Sequence, residues 1–174
     1  GGVLAALGLD YLDDTFKSPE EIEQQLGMSV IGIVPKPRPG ITIDEEMFEP
    51  RSGAAEAIRS LRTGLQFATS DGLPRTMVVT SSKPSEGKTT TTIALAKSLA
   101  DLGMNVLLID GDLRNASIHK RVRCSNEVGL SNYLTGSKMP EEVVQDIGIN
   151  RLVVMTSGPL PPNPAELLAG PKML

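Results

Sequence analysis

The sequence has few of the residues that build disulfides and metal centres. It contains one cysteine, Cys124, and one histidine, His119, in 174 residues. A lone cysteine excludes an internal disulfide and fits a reducing compartment, and a lone histidine excludes a site made of several histidines. We therefore expect both side chains to serve packing or the surface.

Excess basic charge is also missing. Lysine and arginine number 17 against 21 acidic residues, for a net charge of −4. A protein that coats nucleic acid carries a basic excess. The charge balance therefore predicts no nucleic-acid partner.

The chain has no apolar run long enough to span a membrane. Residues 1–9 are apolar, but a spanning helix needs about 20 residues. They also lack the basic leader and cleavage site of a secretory signal. Because the first residue is not methionine, we interpret residues 1–9 as the end of a transmembrane helix that belongs to a longer protein.

Turn-forming residues mark the organisation of the next part. Ser18 and Pro19 predict the start of a short helix, and Gly27 predicts its end. Residues 29–34 are apolar and predict a short strand. Proline and glycine at 35–40 predict a linker, so residues 10–50 form a segment distinct from residues 51–174.

Residues 51–174 have the pattern of an α/β domain. Apolar residues at helical spacing predict a helix from 51 to about 68, and β-branched or apolar runs predict strands. The further predicted elements are strands at 76–80, 105–109 and 151–155, and helices at 88–102, 140–147 and from 165. This order predicts a parallel sheet with helices on both faces.

A glycine loop lies between the first predicted strand and helix. Its sequence at 82–89 is Ser-Lys-Pro-Ser-Glu-Gly-Lys-Thr, which predicts a loop whose N–H groups surround phosphates. Lys88 can reach the β and γ phosphates, and the Thr89 hydroxyl can bind Mg²⁺. For Lys83, a solvated side chain is favoured over a contact across a dimer. The predicted ATP-binding residues are Ser82, Lys83, Pro84, Ser85, Glu86, Gly87, Lys88, Thr89 and Thr90.

Two carboxylates follow the next predicted strand. Asp110 and Asp112 lie at its carboxyl end, where open α/β sheets place their ligands. One carboxylate can hold Mg²⁺ with Thr89, and the other can orient or deprotonate an attacking hydroxyl. The two roles are interchangeable at this stage. Lys88, Asp110 and Asp112 are therefore the predicted catalytic residues, with ATP and Mg²⁺ as cofactors.

These paired motifs resemble those of the bacterial tyrosine kinases of capsule and exopolysaccharide synthesis. Residues 84–90 are similar to the family's first Walker motif, and 107–114 to its second. The resemblance implies a P-loop NTPase-type fold and an autophosphorylating ATP-dependent tyrosine kinase. It also implies a ring-forming homo-oligomer that works with the polysaccharide export machinery. The location implied is the bacterial inner membrane, with a cytoplasmic kinase domain.

Other segments extend this resemblance. Glu56, Arg59 and Arg62 match the family's Glu-x-x-Arg-x-x-Arg helix, which implies an oligomer interface; alternatively, they form a solvated helix face. Residues 11–35 resemble a juxtamembrane segment. A third Walker motif and a tyrosine cluster are expected after Leu174. Residues 51–174 would then be the N-terminal part of a kinase domain, incomplete at the C-terminus and poorly active alone.

Two alternatives share the same motifs. The first is an ATPase switch of the partitioning or septum-positioning type, which hydrolyses ATP without a tyrosine acceptor. Against it stand Pro84 and Ser85, where that class usually has glycines. The second is a co-polymerase that binds nucleotide without catalysis.

Overall fold

Helix α1 spans Pro19–Leu26 in a computed structural model that describes residues 18–36 and 49–173. Contacts divide the chain into two units, residues 1–33 and 34–174, and α1 belongs to the first. The Ser18 hydroxyl accepts a hydrogen bond from the Glu21 N–H at 3.3 Å, and Gly27 ends the helix with a φ of 64°. Both predicted helix ends are confirmed. The helix end expected at residues 1–9 lies outside the described residues.

Two helices of the second unit pack against each other. Helix α2 spans Gly53–Phe67 and begins with the Ser52 hydroxyl accepting the Ala55 N–H at 3.0 Å, and helix α3 spans Lys88–Asp101. Ala54 and Ile58 of α2 are buried against Ala94 of α3. Both helices occur where the sequence predicted them, because their apolar residues recur on one face.

The strands form one mixed sheet. Strand β1 is Val106–Ile109, β2 is Val144–Ile149 and β3 is Leu152–Met155, and their order in the sheet is β1-β3-β2. β1 and β3 are parallel, whereas β2 and β3 are antiparallel. The prediction of a parallel sheet is therefore right for β1 and β3, and the antiparallel edge strand is an addition.

Helices lie on both faces of this sheet, as the sequence predicted, although Leu107 and Ile109 of β1 stay 47% and 41% exposed. Four short helices join α3 in doing so, namely α4 (Ile118–Val122), α5 (Leu130–Thr135), α6 (Pro140–Val143) and α7 (Pro164–Leu168). The cluster on the α3 face is Ile93, Ala96, Ala100, Leu108, Ile118, Leu152 and Val154. The buried cluster on the other face is Leu113, Leu130, Leu134, Val143 and Met155. Each larger apolar side chain buried here contributes about 1.5–3 kcal/mol.

Two predicted strands are wrong. Residues 29–34 and 76–80 belong to no ladder in the described structure. Val78 is 89% exposed, and none of the described strands runs beside it. A strand is stabilised by pairing with a neighbour, so β-branched residues alone do not create one.

The helix predicted at 140–147 is only partly correct. Pro140 begins helix α6, but this helix ends at Val143, and β2 follows at once. Pairing with β3 supplies partners for the β2 backbone, and this tertiary contact overrides local helix preference. The strand predicted at 151–155 and the helix predicted from 165 are confirmed. None of the helices in the described ranges is long and apolar enough to cross a membrane.

Candidate functional site

The loop at 82–87 leads directly into the first turn of α3. Ser85 and Gly87 both have positive φ, 66° and 90°, and Glu86 lies between them. Such alternation turns successive N–H groups toward one concave side, which suits an anion. The 14-residue helix α3 begins at Lys88 and directs its positive end to the same place. The backbone of this loop can therefore surround a phosphate, and ATP binding by these residues stays a prediction.

Glu86 bends back over the beginning of the loop. Its carboxylate accepts hydrogen bonds from the Ser82 hydroxyl, at 3.0 and 3.1 Å, and from the Lys83 N–H, at 3.0 Å. The Lys83 N–H and the Ser82 hydroxyl lower the pKa of Glu86 below its usual value. Glu86 therefore stabilises the shape of the loop. A carboxylate would repel a phosphate in direct contact.

The loop after β1 brings an acidic side chain to Lys88. The Asp112 Oδ2 lies 3.3 Å from the Lys88 Nζ, and both side chains are about one-third exposed, at 31% and 34%. Partial burial acts to raise the pKa of Asp112. The Asn115 N–H and the Lys88 ammonium outweigh that effect, and the pKa of Asp112 is lowered. The predicted neighbourhood of Lys88 and Asp112 is thus present in the structure.

Asp110 is buried and organises the loop that carries Asp112. Its Oδ1 accepts the Asp112 N–H at 3.2 Å, and its Oδ2 accepts the Ser117 and Ile118 N–H groups at 3.1 and 3.0 Å. Asp110 is only 4% exposed, so these bonds compensate the burial of its charge. Three of the lone pairs of this carboxylate are therefore already used within the protein.

Thr89 contacts Ser117, a residue that the sequence motifs did not indicate. The hydroxyl oxygens of Thr89 and Ser117 lie 3.0 Å apart, although the residues are 28 positions apart in the chain. Ser117 precedes the short helix α4, a place where serine usually acts as a cap. The sequence therefore contained a signal for a cap, but none for this contact.

The three residues of the predicted interface all lie on helix α2. Arg62 donates to the Ser98 carbonyl at 3.1 Å and to the Ser98 hydroxyl at 2.8 Å, joining α2 to α3. Arg59 donates to the Pro50 carbonyl at 3.1 Å, and Glu56 is exposed. Two of the three side chains, Glu56 and Arg59, are therefore on the surface.

Comparisons with known proteins identify the family of this chain. Residues 77–157 match the family model of the CobQ/CobB/MinD/ParA nucleotide binding domain. The chain is 44% identical to the tyrosine-protein kinase YwqD of Bacillus subtilis over 71% of this chain and 52% of that protein. The solved BceF tyrosine kinase domain has 31% identity and a TM-score of 0.79, over 90% of this chain and 68% of that domain. The chain belongs to the bacterial tyrosine kinase family.

Similarity also extends to the N-terminal part of the chain. The putative tyrosine-protein kinase EpsB of Ralstonia solanacearum is 32% identical over 99% of this chain, which corresponds to 25% of EpsB. The chain therefore spans about half of YwqD and a quarter of EpsB. The P-loop NTPase fold, which the sequence predicted, follows from this family and from the α/β architecture.

Proposed function

We propose that the protein containing this chain is an ATP-dependent tyrosine kinase that phosphorylates itself. The observation that carries the proposal is the approach of two loops. The loop at 82–87, whose backbone can surround a phosphate, leads to Lys88. The loop after β1 carries Asp112, whose Oδ2 lies 3.3 Å from the Lys88 Nζ. The family to which the chain belongs contains proteins named tyrosine-protein kinases, which supports phosphoryl transfer to tyrosine.

The proposed roles follow from the contacts of each side chain. Lys88 stabilises negative charge on the γ phosphate, and the N–H groups of the loop hold the other phosphates. Asp112 is partly exposed and close to Lys88, so we propose that it contacts Mg²⁺ or the tyrosine hydroxyl. Asp110 already accepts three N–H groups, so we assign it to holding that loop in place.

The side chains present also fit Mg²⁺. This ion prefers oxygen ligands and is usually held by one or two carboxylates together with phosphates. The Thr89 hydroxyl and the Asp112 carboxylate are such ligands, and Asp110 has limited remaining capacity. Bound there, the ion would neutralise charge on the phosphates. Among the residues described, no group of three His, Cys, Asp or Glu side chains could hold a metal by itself.

The ion pair between Lys88 and Asp112 sets a condition for nucleotide binding. A γ phosphate that contacts Lys88 must compete with the Asp112 carboxylate for the same ammonium. The pair is partly exposed and is worth at most about 1 kcal/mol, whereas a charge-assisted bond to phosphate is stronger. The phosphate is therefore expected to displace the Asp112 carboxylate from Lys88. Asp112 can then contact Mg²⁺ or the tyrosine hydroxyl.

The proposal includes assembly and location. We propose a ring-forming homo-oligomer at the bacterial inner membrane, with the kinase domain in the cytoplasm, that controls the length and export of capsular or extracellular polysaccharide. The exposed side chains Glu56 and Arg59 on α2 are available to a neighbouring subunit. Arg62, which is bonded to Ser98, would support that face from within its own subunit.

Product analysis of the full-length protein tests this function. After incubation with ATP and Mg²⁺, we expect phosphotyrosine on the protein and none when ATP or Mg²⁺ is omitted. ATP hydrolysis without phosphotyrosine would instead indicate the ATPase switch. Nucleotide binding with neither product would indicate the co-polymerase.

Ser85 offers a test of the phosphate loop. Its φ of 66° costs a residue with a side chain about 1–2 kcal/mol, and a β-branched side chain tolerates it least. We expect Ser85→Val to weaken binding of a fluorescent ATP analogue about tenfold, and Ser85→Gly to preserve it. Titration of both variants measures this effect. Equal affinity of Ser85→Val and the unchanged protein would show that the loop does not bind phosphate in this conformation.

A further inference from the structure

The Thr89 hydroxyl is bonded differently from those of three other helical threonines. Thr63, Thr92 and Thr135 each donate to the carbonyl four residues earlier, at 3.0, 2.6 and 2.9 Å. This is the usual local bond of a threonine inside a helix. Thr89 lies in the first turn of α3, and the structure pairs its hydroxyl with that of Ser117 at 3.0 Å. The contact therefore joins the first turn of α3 to the loop after β1.

Ser117 is held where it can serve Thr89. Its N–H donates to the Asp110 Oδ2 at 3.1 Å, which fixes the backbone at this position. Its side chain makes no capping bond to α4, although it stands at the cap position. Asp110 performs that task by accepting the Ile118 N–H at 3.0 Å. The Ser117 hydroxyl is thereby left to face Thr89.

A hydroxyl that binds a cation offers a lone pair and must direct its hydrogen elsewhere. The Ser117 oxygen is placed to accept that hydrogen from Thr89. We propose that Ser117 is a positioning residue, which orients the Thr89 hydroxyl so that its lone pair faces Mg²⁺. This inference rests on the proposed function, in which Thr89 binds the ion.

Outer-shell partners of this kind usually change metal affinity about 10–100-fold. In this chain, Asp110 would act on Thr89 indirectly. It fixes Ser117, and Ser117 orients the hydroxyl. The carboxylate predicted as a metal ligand thus gains a further role that needs no direct contact with the ion.

The test measures binding of a fluorescent, non-hydrolysable ATP analogue to the full-length protein, first in EDTA and then in excess Mg²⁺. The quantity of interest is the ratio of the two affinities. We expect Mg²⁺ to strengthen binding to the unchanged protein, and Ser117→Ala to reduce that enhancement about tenfold. Ser117→Thr keeps a hydroxyl and should restore most of it. Ser125→Ala, which removes an exposed hydroxyl outside the site, should have no effect.

The affinity in EDTA separates positioning from a general structural role. For Ser117→Ala, we expect it to stay within about twofold of that of the unchanged protein, because the loop at 82–87 is intact. An equal loss of affinity with and without Mg²⁺ would mean that Ser117 only supports the fold. An enhancement by Mg²⁺ that is unchanged in Ser117→Ala would also overturn the proposal. If the unchanged protein shows no enhancement by Mg²⁺, the proposed magnesium site itself fails.

Discussion

Lys88→Met is expected to abolish nearly all phosphotyrosine formation by the full-length protein. Methionine keeps the length and apolar stem of lysine but removes the ammonium that we assign to the γ phosphate. Loss of one preorganised donor to developing charge usually costs about 10²–10³-fold in rate. The substitution also breaks the ion pair with Asp112, but both side chains are about one-third exposed, so stability should change by less than about 1 kcal/mol. The lost activity would then reflect chemistry and not unfolding.

Helix α3 provides a matched control. Lys97 lies on the same helix, and its Nζ is 2.7 Å from the Asp101 Oδ2, so Lys97→Met also removes an exposed ion pair. Such a pair within a helix is worth about 0.3–0.5 kcal/mol. We expect this variant to retain full phosphotyrosine signal on a blot. A Lys88→Met protein with the same signal as the Lys97→Met protein would contradict the assignment of Lys88.

The sequence predicts best those parts of the site that have local causes. Helix α3 begins after Gly87 and is followed by Gly103, and both glycines have positive φ, at 90° and 89°. Strand β1 is an apolar run that ends just before Asp110. Since neighbouring residues determine these boundaries, the phosphate loop and the acidic loop could be placed from the sequence alone.

Contacts between distant residues could not be predicted in the same way. The pairing of Thr89 with Ser117 depends on how the chain returns after β1, and the three bonds of Asp110 depend on the path of its loop. The failed strand at 76–80 has the same cause. Its composition favours a strand, but a ladder needs a partner, and pairing is a tertiary property. Contacts between residues far apart in the sequence therefore explain both the unexpected pairing of Thr89 with Ser117 and the wrongly predicted strand at 76–80.

Gly129→Ala is expected to have the largest effect on stability. Gly129 lies at the start of α5, where the chain passes against the end of β3. A β-carbon at this position would lie 2.2 Å from the Thr156 carbonyl oxygen and 2.4 Å from the Gly158 nitrogen. Both are backbone atoms, so no side chain can rotate away to make room. The methyl group must instead force the two segments apart.

That separation would break hydrogen bonds on both sides. The Leu130 N–H donates to the Thr156 carbonyl at 2.7 Å, and the Ser131 N–H donates to the Ser157 carbonyl at 2.9 Å. Thr156 and Ser157 are almost completely buried, at 0% and 1% exposure, so groups left unpaired there would not regain water. Overpacking with loss of such bonds costs about 3 kcal/mol or more. Thermal unfolding should therefore occur about 6–12 °C lower.

This junction also connects to the proposed site. The Asp110 N–H donates to the Met155 carbonyl at 2.9 Å, so a shift at the end of β3 reaches the loop that carries Asp112. Gly53→Ala is the matched control, because no atom lies within 4 Å of a β-carbon at the start of α2. Its unfolding temperature should be unchanged or slightly higher. Unfolding of Gly129→Ala at the same temperature as Gly53→Ala would contradict the close approach of α5 to β3. It would also contradict the support that we assign to the Asp110 loop.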